Sequence, residues 1–270
     1  MSPDNHQPET ARALVGLMEL VQRLRAPDGC PWDRRQTPRS VAPYILEEAY
    51  EAVEAVETGR PPEVCAELGD LLFQVVFMAQ LFAEQGHFDL ARVMTQVTQK
   101  MIRRHPHVFE QEKAENAEEV KGLWGRIKSQ ERRQNHQGLL DSLPRAAPAL
   151  VRAHRLGQRV ARVGFDWRGP DQVWDKVHEE LDELARAQDP EQQEQELGDL
   201  LFTLAQWARH QGLGAEAALR RANARFQKRF QELENLARSR GLDLEQMDLE
   251  QMDQLWEEIK ARETERGPHT

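Results

Sequence analysis

The run Glu67-Leu68-Gly69-Asp70-Leu71-Leu72-Phe73 recurs unchanged as Glu196-Leu197-Gly198-Asp199-Leu200-Leu201-Phe202, and this repeat limits the folds open to the chain. Glu47-Glu48-Ala49-Tyr50-Glu51 precedes the first copy and Glu179-Glu180-Leu181-Asp182-Glu183 the second, so each has the form EExxE followed by ExxD. The correspondence continues on both sides. Ala149-Leu150-Val151 and Gln158-Arg159 match Ala13-Leu14-Val15 and Gln22-Arg23 at one offset, and Phe165-Asp166-Trp167 stands where Pro31-Trp32-Asp33 stood. Lys100 and Arg104 match Arg225 and Arg229, while Trp124 and Lys128 match Trp256 and Lys260. The separation from Glu47 to Lys128 and from Glu179 to Lys260 is the same 81 residues. A repeat of this kind marks a duplicated domain.

Apolar residues recur at helical spacing throughout, and no alternating pattern of strand length interrupts them. The chain is therefore expected to be all-α, with tandem helical-bundle domains at 1–135 and 149–270 joined by a linker over 136–148. Leu14, Leu17, Leu20, Val21 and Leu24 predict a first helix that ends at Ala26-Pro27-Asp28-Gly29. Further helices are predicted over about 41–58, up to about 85, and over about 89–104. Asn116 with Glu119 three residues on reads as a capped helix start.

The acids sit in an unusual place. Leu68, Leu72, Val75, Ala79 and Phe82 form what reads as a core-facing stripe beside Glu67 and Asp70. A partly buried carboxylate stays ionised only if a cation or metal balances it. Glu48/Glu51 and Glu67/Asp70 are i, i+3 pairs, so two antiparallel helices would converge four oxygen donors, a set suited to Mg²⁺ or Mn²⁺. Gly69 and Gly198 cost roughly 1 kcal/mol each inside a helix, which suggests close approach of a neighbouring helix or ligand. Lys100/Arg104 and Arg225/Arg229 are i, i+4 cation pairs in both copies and read as phosphate ligands. Trp124 and Trp256 either fill core or stack on a base. Glu84-Gln85-Gly86-His87 offers one ExxH, but the second copy has no counterpart, which argues against di-iron chemistry. His105 and His107 read as a turn following a helix.

A net charge of −10 argues against a surface for nucleic acid polymers, though a metal-bound phosphorylated substrate remains compatible with it. Cys30 and Cys65 form no CxxC, which fits a reducing compartment. No long apolar span stands out. The expected setting is the cytoplasm, with no membrane contact.

Taken together, the doubled EExxE/ExxD pattern, Cys30-Pro31-Trp32-Asp33, Arg104-His105-Pro106-His107-Val108-Phe109 and Gly164-Phe165-Asp166-Trp167 resemble the two-domain MazG nucleoside triphosphate pyrophosphohydrolase family over about 11–260. The resemblance implies an all-α fold, pairing into a homodimer, and Mg²⁺-dependent cleavage of (d)NTPs to (d)NMP and pyrophosphate, with Mn²⁺ able to substitute. It implies a house-cleaning role in nucleotide metabolism, non-standard or oxidised nucleotides being candidate substrates. On this reading Glu180, Glu183, Glu196 and Asp199 hold metal in the second half, as do Glu48, Glu51, Glu67 and Asp70 in the first. Glu179 and Glu47 orient or deprotonate the attacking water. Lys176, Arg225, Arg229 and Lys260 hold the phosphates, as do Lys100, Arg104 and Lys128, with Trp256 or Trp124 against the base. Lys176 has no cationic counterpart, since Tyr44 occupies its place. Gln192 stands where similar proteins carry a lysine. The rival readings are a helical protein-interaction module and a nucleotide sensor, both with little or no turnover.

Overall fold

The computed structural model describes residues 7–110, 112–134 and 138–266, which form helices and connecting turns with no strand among them. The chain divides into two compact units, residues 1–128 and 129–270.

In the first unit, α1 (Gln7–Arg25), α2 (Pro38–Thr58), α3 (Pro61–Glu84), α4 (Leu90–Arg104) and the short α5 (Pro106–Phe109) follow one another. Local chemistry sets their limits. Thr37 caps α2 through a reciprocal pair, Ser40 N donating to Thr37 Oγ1 at 3.2 Å and Thr37 N to Ser40 Oγ at 2.9 Å. Gly59, at φ 71°, ends α2 in the left-handed region and returns its N–H to the carbonyls of Ala55 and Val56. Pro61 and Pro62 then open α3 at once, so α2 and α3 pack as an antiparallel hairpin. The core gathers Val21, Val41, Val76, Phe77, Ala79, Leu81 and Leu90. Each large apolar side chain fully buried there stabilises the unit by about 1.5–3 kcal/mol.

Helix α6 (Ala117–Gln134) starts as its sequence predicts: Asn116 Oδ1 accepts from Glu119 N at 3.0 Å and Asn116 Nδ2 donates to Glu119 Oε1 at 2.8 Å. The division between the units falls within this helix.

The second unit repeats the order with α7 (Ala149–Val160), α8 (Pro170–Arg186), α9 (Pro190–His210), α10 (Ala215–Ser239) and α11 (Leu249–Arg266). Asp189 caps α9 by accepting from Gln192 N at 3.0 Å, and α8 and α9 form the counterpart hairpin. Gln192 thus sits in the first turn of α9. Val173, Val177, Leu200, Ala205 and Ala208 are buried among these helices, while Leu233, Ala237, Leu255 and Ile259 make a separate core between α10 and α11.

Three expectations need correction. The stripe beside Glu67 is internal only toward its C-terminal end: Leu68, Leu72 and Val75 are 53%, 46% and 37% exposed, Ala79 of the stripe is buried, and α3 also buries Val76, Phe77 and Leu81, which lie off the stripe. α3 packs against α1 and α2, and the leucine face stays partly exposed among the described residues. Nothing lies within 4 Å of a Cβ built on Gly69 or Gly198, so no neighbour among the described residues crowds either glycine. Finally, α3 is long and apolar enough by length and composition to cross a membrane. Its apolar character comes from having two apolar faces, one in the core and one on the surface.

Candidate functional site

The hairpins bring most of the predicted metal acids together. Glu48 of α2 meets Glu67 and Asp70 of α3, with one ligand oxygen from each lying within 4.8 Å of the others. Glu180 and Glu183 of α8 meet Glu196 of α9 within the same limit. Glu51 and Asp199 stand beside these sets without completing them. The Glu51 carboxyl is pushed above its usual value, first by desolvation and then by repulsion from Glu67, Glu47 and Asp70. Glu196 is raised likewise, first by desolvation and then by Glu183, Asp199 and Glu180, with Lys176 working in the opposite direction. Like charges held this close favour binding of either a proton or a cation. Oxygen-only donors at i, i+3 spacing suit a hard divalent ion, so the residues present fit a metal.

The two clusters are balanced differently. Lys176 Nζ lies 2.8 Å from Glu179 Oε1 and 2.9 Å from Glu180 Oε1, and these two carboxylates hold its ammonium well above the ordinary lysine value. Glu180 is 4% exposed, so its charge is compensated where water hardly reaches. In the first cluster Gln74 Nε2 donates to Glu48 Oε1 at 3.4 Å, a long bond from an uncharged donor, and Tyr44 occupies the position of Lys176.

Apart from Lys176 on α8, the predicted phosphate and base ligands lie on other helices. Arg229 donates to Glu263 Oε2 at 2.8 Å and stands over the Trp256 ring at 6.0 Å. Trp256 packs on Phe226 at 5.3 Å and on the α10–α11 core. Lys260 pairs with Glu257 at 2.5 Å, and Arg225 is exposed on α10. In the first unit Lys128 Nζ lies 4.7 Å above the Trp124 ring, whose edge meets His105 at 5.0 Å. Lys100 lines a groove on α4 with Arg92 and Arg103, and Arg104 ends that helix. Both tryptophans therefore pack against their own units. Glu84 is taken by Arg25, whose Nε and Nη2 reach its carboxylate at 2.8 Å and 2.6 Å, and this engages the acid of the lone ExxH.

Each unit also has a cavity lined in part by the helices that carry its acids. In the second unit it measures about 440 Å³ and is lined by Phe165, Trp167, Gln172, Phe202 and Gln206. Gln172 is one helical turn before Lys176, and Phe202 follows Asp199 on α9, so cavity and cluster share the same two helices. The smaller first-unit cavity, about 290 Å³, includes Trp32, Tyr44, Phe73 and Gln74, and Gln74 is the residue bonded to Glu48. Trp32, Trp167 and the phenylalanines were absent from the predicted site residues. Their signal was present: the tryptophan loop recurs ahead of each EExxE, and Phe73 and Phe202 end the repeated run.

An all-α chain with an oxygen-donor cluster on a helical hairpin in each unit, and an aromatic cavity lined in part by the same helices, has the donor set of a metal-dependent enzyme. The MazG nucleotide pyrophosphohydrolase domain matches residues 36–109, which hold α2, α3 and α4. The nucleoside triphosphate pyrophosphohydrolase of Escherichia coli (strain K12) is 46% identical over 254 residues, covering 92% of this chain and 97% of that protein. The nucleoside triphosphate pyrophosphohydrolase/pyrophosphatase MazG of Thermotoga maritima is 40% identical over 245 residues, 91% of this chain and 94% of that protein. The uncharacterized protein YabN of Bacillus subtilis is 40% identical over 251 residues, 92% of this chain and 51% of its own length. The chain belongs to the MazG nucleoside triphosphate pyrophosphohydrolase family.

Proposed function

We propose that this chain hydrolyses nucleoside triphosphates to monophosphates and pyrophosphate at the α8–α9 hairpin with Mg²⁺, or Mn²⁺ in its place. The observation that carries the reading is the convergence of Glu180, Glu183 and Glu196 around a buried carboxylate, in a relative of proteins named for this activity. Glu180, Glu183, Glu196 and the adjacent Asp199 would hold the metal, which supplies charge neutralisation on phosphate oxygens and acidifies bound water. Glu179, more than half exposed beside the cluster, receives the proton of the attacking water. Lys176 leaves its two carboxylates for the triphosphate and stabilises charge on the departing pyrophosphate. The base enters the α8–α9 cavity between Trp167 and Phe202. Arg229 and Lys260 exchange their acidic neighbours for phosphate oxygens and the exposed Arg225 joins them, with Trp256 as the platform that carries Arg229. Glu47, Glu48, Glu51, Glu67 and Asp70, with Lys100, Arg104, Trp124 and Lys128, form the weaker first-unit counterpart.

The proposed domain limits are 1–135 and 149–270, and the proposed assembly is a homodimer in the cytoplasm, without nucleic acid polymer or membrane as partner. Exposed Leu68, Leu72, Leu197 and Leu201 and the open space over Gly69 and Gly198 support pairing of the hairpins with a second copy.

A panel of standard and oxidised nucleoside triphosphates in ¹⁸O-water, with products identified by mass spectrometry, tests the reading. Monophosphate and pyrophosphate are expected, and the label in one of them fixes the attacked phosphorus. Binding without turnover in the presence of metal would favour a nucleotide sensor.

A further inference from the structure

The wall of the second-unit cavity is held by a chain of polar contacts whose members differ from those that tie the tryptophan loop of the first unit. Gln206 is completely buried, and both ends of its amide are engaged: Nε2 donates to the Ala153 carbonyl of α7 at 2.8 Å, and Oε1 accepts from Arg209 Nε at 2.8 Å. Arg209, its side chain 12% exposed, then bonds Asp166 through Nη1 at 3.0 Å and Nη2 at 2.5 Å. His210 Nε2 lies 3.1 Å from the same carboxylate, and Asp166 Oδ1 accepts the backbone N–H of Trp167 at 3.0 Å. The relay therefore runs from the interior of the unit to the residue that bears the cavity's tryptophan. Burial opposes ionisation of Asp166, but its bonds to Arg209 and His210 outweigh this and hold the carboxyl below its usual value.

The first unit is built differently at the matching places. Gly157 corresponds to Val21 and Gln206 to Phe77, both buried apolar groups, and the tryptophan loop there is tied by Arg25 of α1 to the carbonyls of Asp33 and Gln36. The glycine is required by the relay, since a Cβ at 157 would come within 1.7 Å of Gln206 Oε1 and 2.9 Å of Arg209 Nε.

From this arrangement we infer that Gln206, Arg209 and Asp166 are positioning residues that set Trp167 against the cavity, and so govern how tightly the second unit holds the base of its nucleotide. The inference rests on the base entering this cavity, as proposed above. A bidentate arginine–carboxylate pair fixes orientation as well as distance, which a lysine or a neutral amide does not reproduce.

Steady-state kinetics of the full chain with a nucleoside triphosphate, using inorganic tripolyphosphate as a competitor without a base, tests it. Asp166→Asn and Arg209→Lys each raise KM at least tenfold and change kcat less than threefold, while the inhibition constant of tripolyphosphate stays within twofold. Thermal melts confirm that both conservative variants are folded, and Trp167→Ala shows whether the cavity is used at all. If Trp167→Ala raises KM but the two relay variants do not, the relay is refuted and the cavity reading stands. If Trp167→Ala also leaves KM unchanged, the base does not enter this cavity and both statements fail. An equal loss of tripolyphosphate affinity in the relay variants would mean general damage to the site and would also overturn the inference.

Discussion

Replacing Glu180 by glutamine keeps the shape of the side chain and removes one negative charge from the most enclosed point of the α8–α9 cluster. Two changes in stability oppose one another. The 2.9 Å ion pair with Lys176 is lost, but repulsion from Glu183 and Glu196 is relieved. Lys176 keeps Glu179 at 2.8 Å as a partner, so no unpaired cation is left behind. The net effect on folding is expected to lie within about 1 kcal/mol. The effect on turnover is not balanced in this way. Loss of a group that only supports a metal ligand costs about 10–100-fold, and loss of a ligand itself should exceed the upper end of that range. Glu48→Gln removes the corresponding charge from a cluster that has Gln74 at 3.4 Å and no lysine, and the expected loss is below about tenfold. Pyrophosphate release by a coupled assay, with calorimetric Mn²⁺ titration and circular dichroism on the same samples, measures all three quantities. If Glu48→Gln in folded protein costs as much as Glu180→Gln, the ranking of the two clusters by their cations is wrong.

Other consequences follow from individual contacts. Because Glu196 is raised above the ordinary 4.5, its folded form binds the proton more tightly, and metal-free stability falls as pH climbs through that window. Glu196→Gln removes this loss, so in metal-free melts the variant's advantage in Tm should be near zero at low pH and grow toward neutrality. A constant difference would refute the assignment; acid-side losses from Glu84, held low by Arg25, are common to both proteins and cancel. Gly157→Ala should destabilise the second unit by about 1–3 kcal/mol in denaturant titration, because Gln206 is fully buried and cannot withdraw. Leu68→Glu combined with Leu197→Glu should convert the proposed homodimer to monomer in light scattering while helicity is retained, and an unchanged mass would exclude these faces as the interface.

The parts of the molecule that depend on neighbouring residues could be read directly. Asn116 marks a helix start because capping is a matter of a few adjacent atoms, and the recurring acids mark the hairpins because duplication preserves spacing, whereas α2, expected from about 41, begins at Pro38 behind a Thr37 cap that periodicity did not point to. What depended on distant partners could not. Periodicity identified an apolar stripe at Leu68, Leu72 and Val75 but not that Val76 and Phe77 take the interior, since α3 is apolar on both faces. The Arg25–Glu84 and Arg209–Asp166 pairs join residues 59 and 43 positions apart, and the two copies draw the arginine from different helices, so alignment of the halves does not reveal them. The cavity residues Trp32 and Trp167 were visible as a repeated loop. Their place in a cavity depends on folding, which brings Gln172 and Phe202 beside Trp167, and Phe73 and Gln74 beside Trp32.

The most direct test of the account is ³¹P nuclear magnetic resonance of one sample of the full chain with a nucleoside triphosphate, first after removal of divalent metal and then after addition of Mg²⁺. The account predicts no change before the addition and, after it, equal growth of monophosphate and pyrophosphate signals, abolished in Glu180→Gln. Turnover before Mg²⁺ is added, or growth of orthophosphate with nucleoside diphosphate, would contradict it.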